Sequence, residues 1–231
     1  MYKRLIPAKA MVLFDIDGTL IRRAGPHHRQ VLVDAVRAVA GLETTTDGVP
    51  VHGMLDQDIL TCMMRNAGAS STEMRRHLPG IMRKAQSLYV RRCPDLTGKT
   101  CPGVRALLGR LARRGIPLAL VTGNLTRIGW KKMERAGLKH HFRFGAFAEM
   151  AADRAGLARL AIGHARGAGW IAADARISLI GDAPSDILAA RANEVRAIAV
   201  ETGISTPDEL KAHAPDLQLK TLTALRLHML L

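Results

Sequence analysis

Aromatic residues are nearly missing from this 231-residue chain: two Trp, two Tyr and four Phe make up 3% of it. The core must be built from Leu, Ile, Val, Ala and Met, and there is no aromatic platform on which single-stranded nucleic acid could stack. Cysteine is also scarce. Cys62, Cys93 and Cys101 are odd in number and show no CxxC spacing. This argues against a disulfide framework or a zinc site and fits the reduced thiols of a cytoplasmic protein. Long apolar runs are absent as well. The run from Met11 to Phe14 is closed at once by Asp15, too short for a signal-peptide core or a membrane span. The chain is therefore expected to be soluble and cytoplasmic, with no membrane partner.

Acidic residues are outnumbered, 20 against 34 Lys and Arg, for a formal charge of +14. The basic pairs are scattered, at 75–76, 91–92, 113–114 and 131–132, where helix surfaces are expected. A solvated basic surface that steers small anions accounts for them. No nucleic-acid recognition motif accompanies the charge, which argues against such a partner.

What is present is a set of short, continuous apolar runs rich in β-branched residues, at 11–16, 116–123, 176–182 and 196–203. Continuous rather than alternating runs mark strands buried on both faces, as in a parallel sheet. Helical patterns fall between them at 102–115, 154–169 and 185–194. Alternation of strand and helix places the chain in the α/β class, a Rossmann-like parallel sheet with helices on both faces. Residues 22–96 break the alternation with three helix-like runs at 26–40, 54–67 and 71–92 and no strand. Gly41, Gly68 and Gly80 read there as helix terminators. The expected organisation is an α/β core, 1–21 and 97–231, with an all-helical cap at 22–96. The final "TALRLHMLL" reads as an amphipathic helix.

Ligands of open parallel sheets bind outside the carboxyl ends of the strands. The first strand ends in Asp15 and Asp17, the second in Thr122-Gly123-Asn124, and the third in Gly181-Asp182 with Asp186 four residues on. Arg154 opens the helix between the second and third. Four carboxylates at one edge repel one another unless a cation joins them. Without His or Cys at these strand ends, a hard dication with oxygen ligands, magnesium, is expected at Asp15, Asp17, Asp182 and Asp186. Thr122, the Gly123 N–H and Arg154 suit phosphate oxygens. Together these are the parts of phosphoryl chemistry.

These motifs resemble, in order and rough spacing from residue 11 to about 219, those of the haloacid dehalogenase superfamily. "DIDGTL" resembles its first motif, "LALVTGN" its second, Arg154 its Lys or Arg, and "LIGDAPSDILAARA" its acidic fourth motif. Residues 102–124 and 180–203 read like its phosphoglycolate-phosphatase-like members. The resemblance implies that Asp15 is a nucleophile forming an aspartyl-phosphate. It implies that Asp17 is the acid for the leaving group, then the base for water, with its carbonyl on the metal. Thr122, Gly123 and Arg154 hold phosphate, Asp182 ligates the metal, and Asp186 ligates or orients. Asp17 sets the chain apart from dehalogenases, and the neighbouring charge of Asp15 is expected to raise its pKa. A phosphatase acting on a small phosphorylated metabolite is the leading reading. A phosphomutase, or a non-catalytic binding protein on the same fold, are its alternatives. Oligomeric state is left open.

Within the helical segment, His52 and Asp56 of "VHGMLDQDIL" are candidates for substrate contact or for a helix start. Arg22, with Arg23, stands on the expected hinge and is a further specificity candidate. His27 and His28 are expected on the surface of the first cap helix.

Overall fold

Met11 and Leu13 face one side of the first strand, Val12 and Phe14 the other, and all four are fully buried. A strand covered on both faces needs a layer of helices above and below it, and that is the architecture seen in the computed structural model, which describes residues 7–22 and 26–230. Six strands, β1 (Ala8–Phe14), β2 (Leu118–Val121), β3 (Phe144–Ala146), β4 (Ile171–Gly181), β5 (Arg196–Val200) and β6 (Leu217–Leu219), form one sheet. Their order is β3-β2-β1-β4-β5-β6 and every pairing is parallel. The order reverses at β1, so the crevice lies at the carboxyl ends of β1, β2 and β4.

Three helices separate β1 from the rest of the sheet: α1 (His27–Ala40), α2 (Asp56–Asn66) and α3 (Ser71–Arg92). All three match the expected helical runs within two residues at each end. The N-terminus of α3 is held by a reciprocal cap, with Ser70 Oγ accepting from the Glu73 N–H and the Glu73 carboxylate accepting from the Ser70 N–H, a motif worth about 1 kcal/mol. Gly80 does not terminate a helix. It lies inside α3, where an added Cβ would come within 3.2 Å of Val39 Cγ1, so it permits close approach of α1 and α3. The segment leaves and rejoins the sheet side by side, through Arg22 N–H to Lys99 O (2.7 Å) and Cys101 N–H to Leu20 O (3.0 Å). Arg23 of the expected hinge lies outside the described residues.

After this segment come α4 (Val104–Arg113), α5 (Thr126–Arg135), α6 (Arg154–Gly167), α7 (Pro184–Ala192) and α8 (Pro207–Ala212). Helices α6 and α7 pack on the face of Met11 and Leu13, in one apolar cluster with α1, α2 and α3. Helix α4 and the C-terminal turns cover the face of Val12 and Phe14. β3 and β6 have no counterpart in the apolar runs of the sequence, because three residues each are too few to show a period. The C-terminal stretch is not a helix. It makes two short 3-10 turns, Leu222–Ala224 and Leu227–Met229. Arg110 and Arg196 donate to Leu225 O and Met229 O, and Leu222, Leu225 and Leu230 are buried. Backbone carbonyls answered by side chains have less need of the helix ladder. The three cysteines are free thiols. No helix among the described residues is long and apolar enough to cross a membrane.

Candidate active site

Each strand end delivers its polar residue by a simple device. The Asp15 N–H still donates to Ile180 O at 3.0 Å, so β1 stays zipped to β4 up to the carboxylate. A tight turn follows, closed by Leu20 N–H and Ile21 N–H to Ile16 O. Gly18 sits in it at φ +83°, and a Cβ there would stand 2.2 Å from Asp182 Oδ2. Only glycine fits, on both counts. Thr122 N–H donates to Ala146 O at the end of β2. Arg154 is the first residue of α6, capped by Asp153, which accepts from the Gly156 N–H. Asp182 follows β4, and Asp186 lies in the first turn of α7, accepting from the Ala183 N–H at 3.1 Å.

These residues meet. Arg154 Nη1 donates to Asp15 Oδ1 at 2.9 Å and to Asp186 Oδ1 at 2.8 Å. Oxygens of Asp15, Asp182 and Asp186 lie within 4.8 Å of one another, all three residues buried. Thr19 Oγ1 donates to Asp182 Oδ1. Burial pushes the Asp182 carboxyl well above its ordinary value, and Asp15 and Asp186 add to the rise. Burial likewise raises Asp186, to about 7, against the opposing pull of Arg154. Burial lowers the Arg154 pKa, but Asp186 and Asp15 outweigh it and hold the guanidinium charged. One cation for three carboxylates leaves an excess of negative charge. The donors are all oxygen, and glycines 18, 181 and 203 supply the room beside them. This set fits a hard divalent cation and suits a thiolate- or imidazole-seeking metal poorly.

A measurable consequence follows from the raised carboxyls. Between pH 4 and about 7 the folded metal-free protein binds more protons here than the unfolded chain does. Stability from this source is fully present below about pH 4 and is lost as pH rises through about 7. Melting temperatures of metal-free protein should fall from pH 5 to pH 8 relative to those of Asp186→Asn. Added magnesium should restore wild type more at pH 8 than at pH 5. A wild-type and mutant difference that does not change with pH would contradict the raised carboxyls.

Asp17 has different company. Its Oδ2 accepts from Lys132 Nζ at 2.5 Å and from Asn124 Nδ2 at 2.8 Å. Burial raises the carboxyl, but Lys132 and the hydrogen bonds from Lys132 and Asn124 outweigh it, and the pKa ends below the ordinary value. The expectation that Asp15 raises it is thus reversed, because an ammonium stands in contact with Asp17.

Asp15, Asp17, Thr122, Gly123, Arg154, Asp182, His52 and Asp56 line one cavity of about 140 Å³. Asp186 stands behind it, reached through Arg154. Arg22 is exposed and outside the cavity wall. His52 Nε2 is 2.8 Å from Ser205 Oγ and 3.9 Å from Asp182 Oδ2. Asp56 turns toward the core, its Oδ2 accepting from the Leu125 N–H at 2.8 Å and its own N–H donating to Gly123 O.

Two residues escape the sequence reading, and a third, Asn124, is placed by it at the end of the second strand without a role. Lys132, grouped there with surface basic pairs, is 0% exposed. It continues the stripe of Ile128, Gly129 and Met133 that α5 buries, and a lysine inside an apolar stripe was the available signal. His28, expected on the surface, lies in the cavity wall with its ring 5.6 Å from that of Tyr89, whereas His27 is exposed. Asn124 bridges Asp17, Thr122 and Lys132.

Comparison with known proteins agrees with this geometry. The chain is 27% identical over 201 residues to a phosphoglycolate phosphatase of Agrobacterium fabrum, covering 85% of this chain and 82% of that one. It is 28% identical over 218 residues to a 5'-nucleotidase of Pseudomonas aeruginosa, covering 93% of each. Among solved structures, CbbY from Rhodobacter sphaeroides in complex with xylulose-(1,5)bisphosphate superposes with a TM-score of 0.71 at 18% identity, covering 94% of this chain and 96% of that one. Residues 10–193, which include Asp15, Asp17, Thr122, Arg154, Asp182 and Asp186, match the family model of haloacid dehalogenase-like hydrolases, and the chain belongs to that family.

Proposed function

We propose that this protein is a magnesium-dependent phosphatase that hydrolyses a small phosphate monoester through an aspartyl-phosphate on Asp15. The observation that carries the reading is the arrangement around Asp15. Its carboxylate is held by the buried Arg154 guanidinium, inside an acidic cluster and in the wall of a cavity that also contains Asp17. A cavity of about 140 Å³ is well below the roughly 300–1,000 Å³ of drug-sized pockets, which favours a small ester. Relatives named as a phosphatase and a nucleotidase support the same class.

In this reading Asp17, ionised beside Lys132 before substrate binds, takes up a proton as the phosphoryl charge arrives beside it. Asp15 then attacks the phosphorus, and the leaving-group oxygen takes that proton from Asp17. Asp17 then takes a proton from water as that water attacks the aspartyl-phosphate. Phosphate leaves and Asp15 is restored. Arg154 holds the Asp15 carboxylate by its hydrogen bond and faces the phosphoryl charge, together with the Thr122 hydroxyl and the Gly123 N–H. Asp15, Asp182, Asp186 and the Asp17 main chain hold the magnesium, which neutralises phosphoryl charge when bound. Residues 22–96 act as a cap that excludes water. His52 contacts the substrate, Asp56 fixes the cap to the core, and Arg22 has no part in this assignment.

The test is phosphate release from p-nitrophenyl phosphate and from a panel of small natural monoesters, with magnesium and with chelator. The expected result is magnesium-dependent turnover, with phosphate and alcohol released in equal amounts. Phosphate passed to a second hydroxyl of the substrate would make the protein a mutase. Binding of an ester without turnover would make it a binding protein.

A further inference from the structure

Lys132 has three donors and no acceptor, and the structure gives it three acceptors: Asp17 Oδ2 at 2.5 Å, Asn124 Oδ1 at 2.6 Å and His28 Nδ1 at 3.2 Å. Its side chain is fully buried, whereas that of Asp17 keeps 36% of its surface. An ammonium is removed from water in this way only when fixed partners replace the solvent. The roles of the partners follow from the lysine. Because Lys132 can only donate, Nδ1 of His28 must accept. Its Nε2 therefore carries the hydrogen and donates to Asp56 Oδ2 at 3.1 Å. Asn124 accepts from Lys132 through Oδ1, so its amide nitrogen is free to donate to Asp17 Oδ2 and Thr122 Oγ1, as observed. Lys132 and Asn124 belong to the sheet side of the molecule, His28 to α1 and Asp56 to α2. Asp56 is itself fastened to Leu125. The network therefore closes only while the inserted helices sit on the sheet.

Oδ2 of Asp17 is committed to Lys132 and Asn124. Among the described residues Oδ1 makes no hydrogen bond, and the carboxyl group lines the cavity. We infer that Lys132 is a positioning residue that fixes the Asp17 carboxyl, presents its second oxygen to the leaving group and, through His28 and Asp56, ties that orientation to seating of the inserted helices. This rests on the reading of Asp17 as the proton-transfer group.

The test compares two esters of one shape and different leaving-group strength, p-nitrophenyl phosphate and phenyl phosphate. A poor leaving group needs the positioned acid and a good one hardly does. Lys132→Met should lower kcat on phenyl phosphate by about 100-fold and on p-nitrophenyl phosphate by less than about 10-fold, with KM little changed. Lys132→Gln, which fills the site and keeps a donor, should fall between wild type and Met on phenyl phosphate. It also serves if the Met variant does not fold. Equal losses on the two esters, no loss, or a change confined to KM would overturn the inference, since a purely structural lysine would act on both esters alike. Asp17→Asn is measured beside them. If it turns over phenyl phosphate like wild type, the reading of Asp17 itself fails. If it is inactive while the Lys132 variants affect both esters equally, only the positioning role fails.

Discussion

Asp15→Asn leaves a folded protein with no turnover. The amide keeps the shape of the carboxylate and one oxygen to accept from Arg154 Nη1, now at 2.9 Å from Asp15 Oδ1, but it cannot attack phosphorus. Loss of a nucleophile lowers kcat by on the order of 10⁶-fold. The substitution also removes one of three negative charges from a cluster whose oxygens lie within 4.8 Å. The metal-free variant is therefore expected to melt higher than wild type at pH 8, because less like-charge repulsion is stored there. That opposite movement of activity and stability separates a chemical defect from a folding one. Acid-quenched wild type incubated with a labelled ester should carry phosphate on Asp15, and Asp15→Asn should carry none. Substantial turnover by the variant would remove Asp15 from the chemistry.

Arg154→Met has the second-largest expected effect, and here activity and stability fall together. The guanidinium is 8% exposed and bonded to both Asp15 and Asp186. Removing one partner of a buried ionic set leaves the others uncompensated, at a cost of about 3–5 kcal/mol. At pH 8 the loss should be greatest. Near pH 5 it should shrink, because burial already favours the protonated forms of Asp182 and Asp186. Magnesium should recover part of it by supplying the missing positive charge. Turnover should drop by about 10²–10³-fold, the loss seen when one fixed donor to a developing anion is deleted. Denaturant melts at the two pH values, with and without the metal, check the first part, and steady-state rates check the second. A variant as stable and active as wild type would mean that Arg154 is not the charge partner of this cluster.

Much of the site is legible in the sequence. Apolar runs that stop at Asp15, at Thr122 and at Asp182 are strand ends, and a parallel sheet brings such ends to one edge. Arg154 was found by its place at the head of a helix between two of those strands. The three inserted helices were equally plain, because α1, α2 and α3 carry apolar residues at helical spacing and end in polar or glycine positions. What failed in the reading failed for identifiable reasons. β3 and β6 are too short for periodicity, and residues 222–230 owe their course to carbonyls answered by Arg110 and Arg196 from distant elements.

Sequence alone determined the sheet class, the three helices between the first two strands and the order of the acidic motifs, since these depend on local alternation of apolar and polar residues. The electrostatic state of the site was decided only by tertiary structure. Lys132 lies 104 residues from His28 and 115 from Asp17 along the chain, and although the apolar stripe of α5 marks the lysine as inward-facing, nothing local says which carboxylate it meets. Packing of α5 beneath the inserted helices removes water from that ammonium. The local dielectric then turns a basic pair in a basic protein into a fixed charge on Asp17.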